Sequence, residues 1–435
     1  MTTQDDMTRK RQRTVAWVVG ISMVGLMFDG YDLVVYGTVV STFLRDPSHL
    51  GPVDPALAGA LGSYALLGVL FGALLAGTFN DRIGRRRTML GAYAWFSVGM
   101  LATALTHTAT TFGIFRFMTG LGVGALLATT AAMVSEYAPP GKKNLYNTIA
   151  YNGVPLGSLA AAALAILLLE RIGWRGMFAL GGLPLVTLLP LAWFKMPESV
   201  AWLVARGRLD EARAIAERTG LPLPEAPATA GAASDAAGAP GYGGLFGDFL
   251  APALLIGLVS ATGLLLVYSL NTWLPELMLR AGFNAKGSLS FLVVLNGGAV
   301  LGPLVAARFA DRLGPKPVVA ASFLTGAVAI LLLTLELPLP LLLCIVALAG
   351  MGTSGTQTLI YGFVANYFPT RVRGASVGWC AGFGRLGGVG GPLIGGLLIA
   401  AGLSIQAILT VLAALALLGI VLTLLVPAPR AAAAA

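Results

Sequence analysis

The chain has 435 residues, of which 57% are hydrophobic and only 11% are charged, and its formal net charge is +9. Soluble domains carry about 25% charged residues, so this composition excludes an ordinary soluble protein and predicts an all-α polytopic membrane protein. The basic charge does not indicate a nucleic-acid partner, because most of it lies in loops on one side of the predicted membrane.

Twelve apolar runs are long enough to cross a membrane as helices. They cover approximately residues 15–43, 56–79, 88–106, 111–135, 144–169, 176–195, 250–278, 287–309, 317–335, 339–366, 374–401 and 404–426. The widest gap divides them six and six. We therefore predict an N-terminal six-helix half (1–195), a cytoplasmic linker with a short amphipathic helix (196–249) and a C-terminal six-helix half (250–435). The Ala, Gly and Pro residues from Leu221 to Gly244 are typical of a flexible linker.

The distribution of Lys and Arg sets the orientation of these spans. With the N-terminus placed inside, 21 of the 28 Lys and Arg residues lie in inside segments and five lie in outside segments. Loops on the cytoplasmic side of a membrane are enriched in basic residues. The pattern therefore predicts that both termini are cytoplasmic and that the basic segments face the anionic cytoplasmic leaflet.

Two aspartates, Asp29 and Asp32, interrupt the first apolar run. A carboxylate near the centre of a bilayer costs about 3 kcal/mol or more, so neither side chain should face lipid. The two residues are three positions apart and share one face of a helix, which Tyr36 continues. That face must look into protein or into a water-filled cavity.

A pair of carboxyl groups in a cavity can carry a proton, because the cavity and the like-charged neighbour both disfavour full ionisation. The two groups would titrate as one coupled unit, so the proton is not assigned to either member. We therefore predict that Asp29 and Asp32 couple transport to protons. Two alternatives remain: one acid pairs with a neighbouring span, or the pair binds sodium.

The two halves repeat. The segment Asp81–Gly84 matches Asp311–Gly314 at an offset of 230 residues, and Tyr137 matches Tyr367 at the same offset. Matches in separate regions at one offset predict two parallel halves related by an axis along the membrane normal, which is one of the known plans of secondary transporters.

Several segments carry a family resemblance. Gly77–Arg87 resembles the signature of the loop between spans two and three in the major facilitator superfamily, Arg116–Gly124 resembles its fourth-span motif, and Pro197–Ser199 resembles the motif that ends its sixth helix. Phe28–Gly37 and Gly384–Gly388 are similar to the aromatic acid:proton symporter family, whose members import benzoate, hydroxybenzoates and gentisate.

The resemblance implies the major facilitator fold, with 12 transmembrane helices in two pseudo-symmetric six-helix halves. It implies a proton-coupled importer, a symporter of an aromatic carboxylate such as benzoate or a hydroxybenzoate, working by alternating access. The chain would be a monomer in the bilayer of the bacterial inner membrane and not an enzyme. Its partners would be the aromatic carboxylate, protons and lipid, with no cofactor, metal or nucleic acid.

Two arginines lie inside spans, Arg116 in the fourth and Arg385 in the eleventh. An arginine in a span should face the interior and pair, and its planar fork can hold a carboxylate with two parallel hydrogen bonds. Both are therefore candidate clamps for the substrate carboxylate at the midplane. The alternative for Arg116 is that it pairs with Asp29 or Asp32 and joins the first span to the fourth.

Other candidate substrate-binding residues offer aromatic walls or amide groups inside spans. They are Tyr31, Asn152, Asn296, Gln357, Tyr361, Trp379 and Phe383. Each of these side chains could instead serve packing. For Trp273, near the predicted outer end of a span, anchoring at the membrane interface is the natural interpretation.

A charged set lies on the predicted cytoplasmic side. It comprises Asp81, Arg82, Arg85, Arg86 and Glu136. In the superfamily, the matching residues form a charge cluster that holds the outward-open state, so the resemblance implies a cytoplasmic gate. The alternative is a basic loop that only sets topology.

Two further functions stay open on the sequence alone. A proton-driven exporter or antiporter of organic anions or drugs, from the same superfamily, would also use buried acids. A membrane sensor or scaffold built on a transporter fold is disfavoured, because no soluble domain is evident in the sequence.

Overall fold

The computed structural model describes residues 3–139, 141–221, 223 and 241–427, and every regular element within these ranges is helical. The helices are α1 (Thr3–Arg45), α2 (Pro55–Ile83), α3 (Arg85–Ala104), α4 (Ala109–Tyr137), α5 (Lys143–Tyr151), α6 (Gly153–Leu180), α7 (Leu188–Lys195), α8 (Val200–Ala205), α9 (Leu209–Thr219), α10 (Gly241–Asp248), α11 (Leu250–Arg280), α12 (Ala285–Leu313), α13 (Pro315–Leu332), α14 (Leu339–Tyr367), α15 (Thr370–Ala400) and α16 (Ile405–Leu425). A short 3₁₀ turn, Leu183–Leu185, precedes α7.

Ten of the described helices are long and apolar enough to cross a membrane. The other two predicted spans correspond to α3, which begins with three arginines, and to the short apolar stretch Leu183–Lys195. The predicted all-α fold class is confirmed, and the twelve-helix count is consistent with these elements. The predicted boundary between the fifth and sixth spans falls inside α6, where Gly173 has a positive φ of 64° and interrupts the helix.

The repeat extends to the backbone. Shifting α2 by 230 residues gives the bounds of α12, and shifting α4 by the same number gives those of α14. The loop glycines Gly84 and Gly314 have nearly the same conformation, with φ of 98° and 86°. Only glycine adopts this region without strain, so both halves use a glycine to turn from one span into the next.

The chain folds as two compact units. Unit 1 comprises Met1–Asp32, Leu67–Ala161 and Leu168–Asp235, and unit 2 comprises Leu33–Leu66, Ala162–Leu167 and Ala236–Ala435. These units cut across α1 and α2, because residues 33–66 group with the second half of the sequence. The division of the sequence at residues 195 and 250 stays a prediction about the repeat.

In unit 1, α1 and α6 approach through glycines. A side chain at Gly30 would overlap the backbone of Val154, and one at Gly157 would overlap the backbone of Met27. The Ser158 hydroxyl donates to the Gly30 carbonyl at 3.1 Å. Small residues let transmembrane helices pack this closely, and here they bring the helix that carries the aspartates against α6.

In unit 2, the glycine-rich run in α15 packs helices together. A side chain at Gly387 would overlap the backbone of Ala261 in α11, and Gly395 lies against the indole of Trp273. The prediction that Trp273 anchors at the membrane interface is wrong: its side chain is only 1% exposed, and its indole N–H donates to the Pro392 carbonyl at 2.8 Å. The small residues of α15 opposite it leave room for a buried tryptophan.

The linker begins with structure of its own. The predicted amphipathic helix is two short helices, α8 and α9, whose apolar sides meet in a small cluster. The buried members of this cluster are Val200, Trp202, Leu203, Ala212 and Ala216. The predicted flexible part of the linker lies largely outside the described residues, which resume with α10.

Candidate functional site

The two predicted coupling acids are both buried in α1. Asp29 is 7% exposed and Asp32 is 5% exposed. The guanidinium of Arg116, from α4, forms an ion pair with the Asp32 carboxylate, and the two side chains are only 3% and 7% exposed. Of the two interpretations of Arg116 from sequence, the structure therefore shows pairing with the first span. Asp29 also interacts with neighbouring groups.

A cluster of aromatic rings lies against Arg116 of this ion pair. The Arg116 guanidinium lies 5.6 Å from the centre of the Phe178 ring, which meets Phe112 edge to face at 5.5 Å. Trp174 packs on both rings. Such an apolar wall excludes water and strengthens the attraction within the pair. Phe178 was not predicted as a site residue, because the sequence around it does not indicate that α6 places its ring over an arginine of α4.

Tyr31 lies beside Asp32, but its hydroxyl is already used. It donates to the Met177 carbonyl at 2.7 Å, and the side chain is 5% exposed. This bond joins α1 to α6 and leaves the ring rather than the hydroxyl as a possible substrate contact. Asn152 lies farther along, at the break between α5 and α6, and is partly buried.

In unit 2, four of the predicted or neighbouring polar residues form a second cluster. The Gln357 side chain, 8% exposed, donates to the Ser260 hydroxyl at 3.0 Å and lies one turn before Tyr361 on α14. Tyr361 also lies within electrostatic range of Arg385, which is partly buried on α15. The cluster thus brings an arginine, a phenol and an amide together, the groups that a carboxylate and a ring hydroxyl would need.

Trp379 and Phe383 form an aromatic stack on α15. Their ring centres are 4.8 Å apart with an angle of 30° between the planes. The indole N–H of Trp379 donates to the Ala253 carbonyl at 2.8 Å, and Phe246 meets its ring edge to face at 4.9 Å. Trp379 is therefore strongly engaged in holding α15 to α10 and α11, whereas Phe383 is partly buried with fewer contacts of this kind.

Asn296 lies in a different polar contact. Its amide group donates to the Asn271 side chain at 2.9 Å and to the Leu292 carbonyl at 3.0 Å. Both N–H groups of this amide are thereby used inside unit 2, and the side chain is only 3% exposed. The structure therefore favours a role for Asn296 in joining α11 to α12. Of its side-chain atoms, the carbonyl oxygen would have to make the predicted substrate contact.

The predicted cytoplasmic gate forms a connected network in unit 1. Arg85 pairs with Glu136 at 3.1 Å and lies 3.8 Å from the exposed carboxylate of Asp81. The backbone N–H of Arg86 donates to the Glu198 carboxylate at 2.9 Å, and its guanidinium donates to the Trp193 carbonyl at 2.6 Å. Arg82, by contrast, is exposed.

Glu198 is the residue of this network that sequence reasoning missed as a site. Its carboxylate also accepts from the Ser199 backbone N–H at 2.9 Å, and its carbonyl accepts from the Tyr137 hydroxyl at 2.6 Å. The Pro197–Ser199 motif contains Glu198 and could have indicated its importance, but the motif does not show which residues it contacts. Glu198 ties the end of α7 to the turn between α2 and α3.

Replacing Gly84 with alanine should destabilise this network. The new side chain would be strained at a φ of 98° and would collide with the Glu198 carboxylate. Gly314 is a matched control, since it has nearly the same backbone conformation with open space around it. We expect G314A to destabilise the purified protein by the backbone strain of about 1–3 kcal/mol, measured as a lower melting temperature, and G84A to lower the melting temperature further. Equal shifts for the two variants would show that Glu198 is not held at this turn.

Comparison with known proteins gives consistent results. Residues 17–375 match the family model described as sugar (and other) transporter. The chain is 33% identical to the benzoate transport protein of Acinetobacter baylyi, over 88% of this chain and 83% of that one. It is 35% identical to the gentisate transporter of Corynebacterium glutamicum, over 91% and 83% of the two chains. The 4-hydroxybenzoate transporter PcaK of Pseudomonas aeruginosa is 30% identical over 91% of this chain and 88% of its own.

Among solved structures, the xylose transporter XylE of E. coli in a partially occluded inward-open conformation superposes with a TM-score of 0.75. It is 17% identical, and the match covers 95% of this chain and 98% of that one. At this identity the likeness shows the fold alone, and it agrees with the helical architecture described above.

Proposed function

Since the chain belongs to the major facilitator superfamily, in the family that includes the benzoate, gentisate and hydroxybenzoate transporters, we propose that it imports an aromatic carboxylate together with protons. The chain is a multi-pass membrane transporter and not an enzyme. The proposal adds the coupling ion, the direction of flux, the substrate class and the residues that carry them.

The buried ion pair between Asp32 and Arg116 is the observation that carries this proposal. Two charges inside a transmembrane bundle are costly to place, and replacing such a pair with apolar residues is often neutral or stabilising. A pair of this kind is therefore better explained by transport chemistry than by stability. A second acid, Asp29, lies one helical turn away on the same face.

In the proposed cycle, the pair exchanges partners. A proton taken up by the Asp29 and Asp32 pair would neutralise one carboxylate and weaken its hold on Arg116. The guanidinium would then be able to take part in binding the incoming anion. When the proton leaves on the other side, Asp32 would recover Arg116 and the anion would lose this attraction. Proton and anion would therefore cross the membrane together.

Arg385 is the proposed recognition residue in unit 2. A guanidinium beside a phenol offers several N–H and O–H donors to a carboxylate, and Tyr361 lies in electrostatic range of Arg385. We propose Phe383, which is also on α15 and partly buried, as an apolar wall of the kind that aromatic ligands require. Substrate recognition in unit 2 and coupling in unit 1 would make the carrier asymmetric, although its backbone repeats.

The cytoplasmic gate is proposed to be the network of Arg85, Glu136 and Glu198. A rocking movement between conformations needs contacts that form in one state and break in another. An ion pair between partly buried side chains suits this purpose, because Arg85 and Glu136, 19% and 23% exposed, still reach water that can replace the partner. Such pairs can be exchanged without a large barrier.

An uptake assay with labelled acids tests the proposal. Cells expressing the protein should accumulate at least one acid among benzoate, 3-hydroxybenzoate, 4-hydroxybenzoate and gentisate, and an uncoupler should abolish the accumulation. Uptake that an uncoupler leaves unchanged would contradict proton coupling. Acid that leaves the cells faster when the protein is present would instead support the proton-driven exporter.

A further inference from the structure

A buried carboxylate near the end of α11 belongs to neither cluster described above. Glu276 is 2% exposed and accepts a hydrogen bond at 2.8 Å from Arg280, four residues later in the same helix. Its other carboxylate oxygen lies 3.1 Å from a terminal guanidinium nitrogen of Arg45, the last residue of α1. A buried carboxylate requires such pairing, because an uncompensated charge in this position would be costly.

The two arginines differ in what they join. Arg280 belongs to the same helix as Glu276 and stays near it however α11 moves. Arg45 comes from α1, and its side chain is 51% exposed. If the end of α1 moved away, Arg280 would still neutralise the carboxylate, and Arg45 would enter water at little cost. The arrangement therefore allows the contact between helices to open without leaving a buried charge unpaired.

Next to this charged group, α1 and α11 meet at a second contact from which the two helices can also separate. A side chain at Gly37 of α1 would overlap the backbone of Asn271 in α11, so the two helices touch there through backbone. Thr272, one turn before Glu276, lies at the same contact and is 4% exposed. Two backbones that meet at a glycine can part without withdrawing an interlocked side chain.

We propose that Arg45, Glu276 and Arg280 form a latch that holds the ends of α1 and α11 together on the side of the membrane predicted to be outside. In this structure the latch is closed. When the carrier opens to that side, Arg45 leaves Glu276 and Arg280 retains it. This inference rests on the proposed alternating-access function for its purpose, but the contact can be tested without transport.

Chemical labelling of a cysteine at position 272 tests the latch. In the Thr272→Cys protein, a membrane-impermeant maleimide should react slowly while the latch is closed, and the modified peptide can be identified by mass spectrometry. Adding Arg45→Gln should raise the labelling rate about fivefold, the effect of losing one partly exposed charged contact. Arg280→Gln is the matched control, since it removes a guanidinium from the same carboxylate but no contact between helices, and it should leave the rate within about twofold.

Charge reversal separates the latch from a folding defect. Combining Arg45→Glu with Glu276→Arg should restore slow labelling, provided that the double variant reaches the membrane and elutes as a single species. Equal acceleration by Arg45→Gln and Arg280→Gln, or no acceleration by Arg45→Gln, would overturn the proposal. If the purified protein moves none of the acids but shows the predicted labelling pattern, the proposed function fails and the latch stands.

Discussion

Asp32→Asn should abolish the uptake of aromatic acid that an imposed pH gradient drives. An asparagine cannot release a proton, so the step that couples the gradient to the substrate would be lost. The same change removes the ion-pair partner of Arg116. Breaking a buried pair on one side costs about 3–5 kcal/mol, so the single variant should also lose thermal stability.

A second variant separates coupling from folding. The double change Asp32→Asn with Arg116→Gln removes both charges, and we expect it to recover most of the melting temperature without recovering gradient-driven uptake. Asp29→Asn keeps the ion pair, so it should fold and insert normally and also fail to accumulate substrate. Normal gradient-driven uptake by both Asp29→Asn and Asp32→Asn would rule out coupling by these acids.

Arg385→Gln should raise the apparent KM for the transported acid at least about tenfold, because a hydrogen bond to a charged group contributes about 1.5–3 kcal/mol. Arg385→Lys retains the charge but not the planar fork, and we expect an intermediate KM. Initial rates of uptake over a range of substrate concentrations measure the effect.

Two control variants show whether the rise in KM is specific to Arg385. Tyr361→Phe removes only the phenolic oxygen next to Arg385 and should produce a smaller rise in KM. Arg371→Gln removes an arginine from the same helix that pairs with Asp248 at 2.8 Å near the helix start, and it should leave KM unchanged. An Arg385→Gln protein with the KM of the parent would show that the substrate carboxylate is recognised elsewhere.

Much of the fold could be predicted from sequence, because hydropathy and the 230-residue offset are properties of the chain itself. The offset found in the sequence recurs in the structure, in the bounds of α4 and α14 and in the conformation of Gly84 and Gly314. The interruption of α6 at Gly173 could not be placed in advance, since an isolated glycine is common inside transmembrane helices.

The candidate site was only partly predictable. Because charge is costly to bury in a membrane, the sequence identifies Asp32 and Arg116 as residues that need partners. Pairing of Arg116 with an aspartate of the first span was one of the two predicted alternatives, and the structure shows it. Packing partners do not follow from such reasoning. Phe178 over Arg116, and Trp273 buried against α15, depend on how distant helices meet, which no local pattern in the sequence reports.

The buried amides also show what the sequence does not predict. A polar side chain in a span seeks a partner, but the partner can be protein as readily as ligand. Asn296 uses its N–H groups on Asn271 and Leu292, and Gln357 donates from its amide to Ser260. Sequence reasoning treated both as equally good substrate contacts, and only Gln357 lies in the cluster with Arg385.

Simultaneous recording of acid uptake and internal pH in proteoliposomes tests the central claim most directly. With no pH gradient imposed, an inward gradient of the transported acid should carry protons in with it and acidify a lumen that contains a trapped pH indicator. Asp29→Asn liposomes should show no such acidification. If the wild-type protein moves the acid inward with no proton movement above that of protein-free liposomes, the carrier is not a proton symporter and the roles given to Asp29 and Asp32 are wrong.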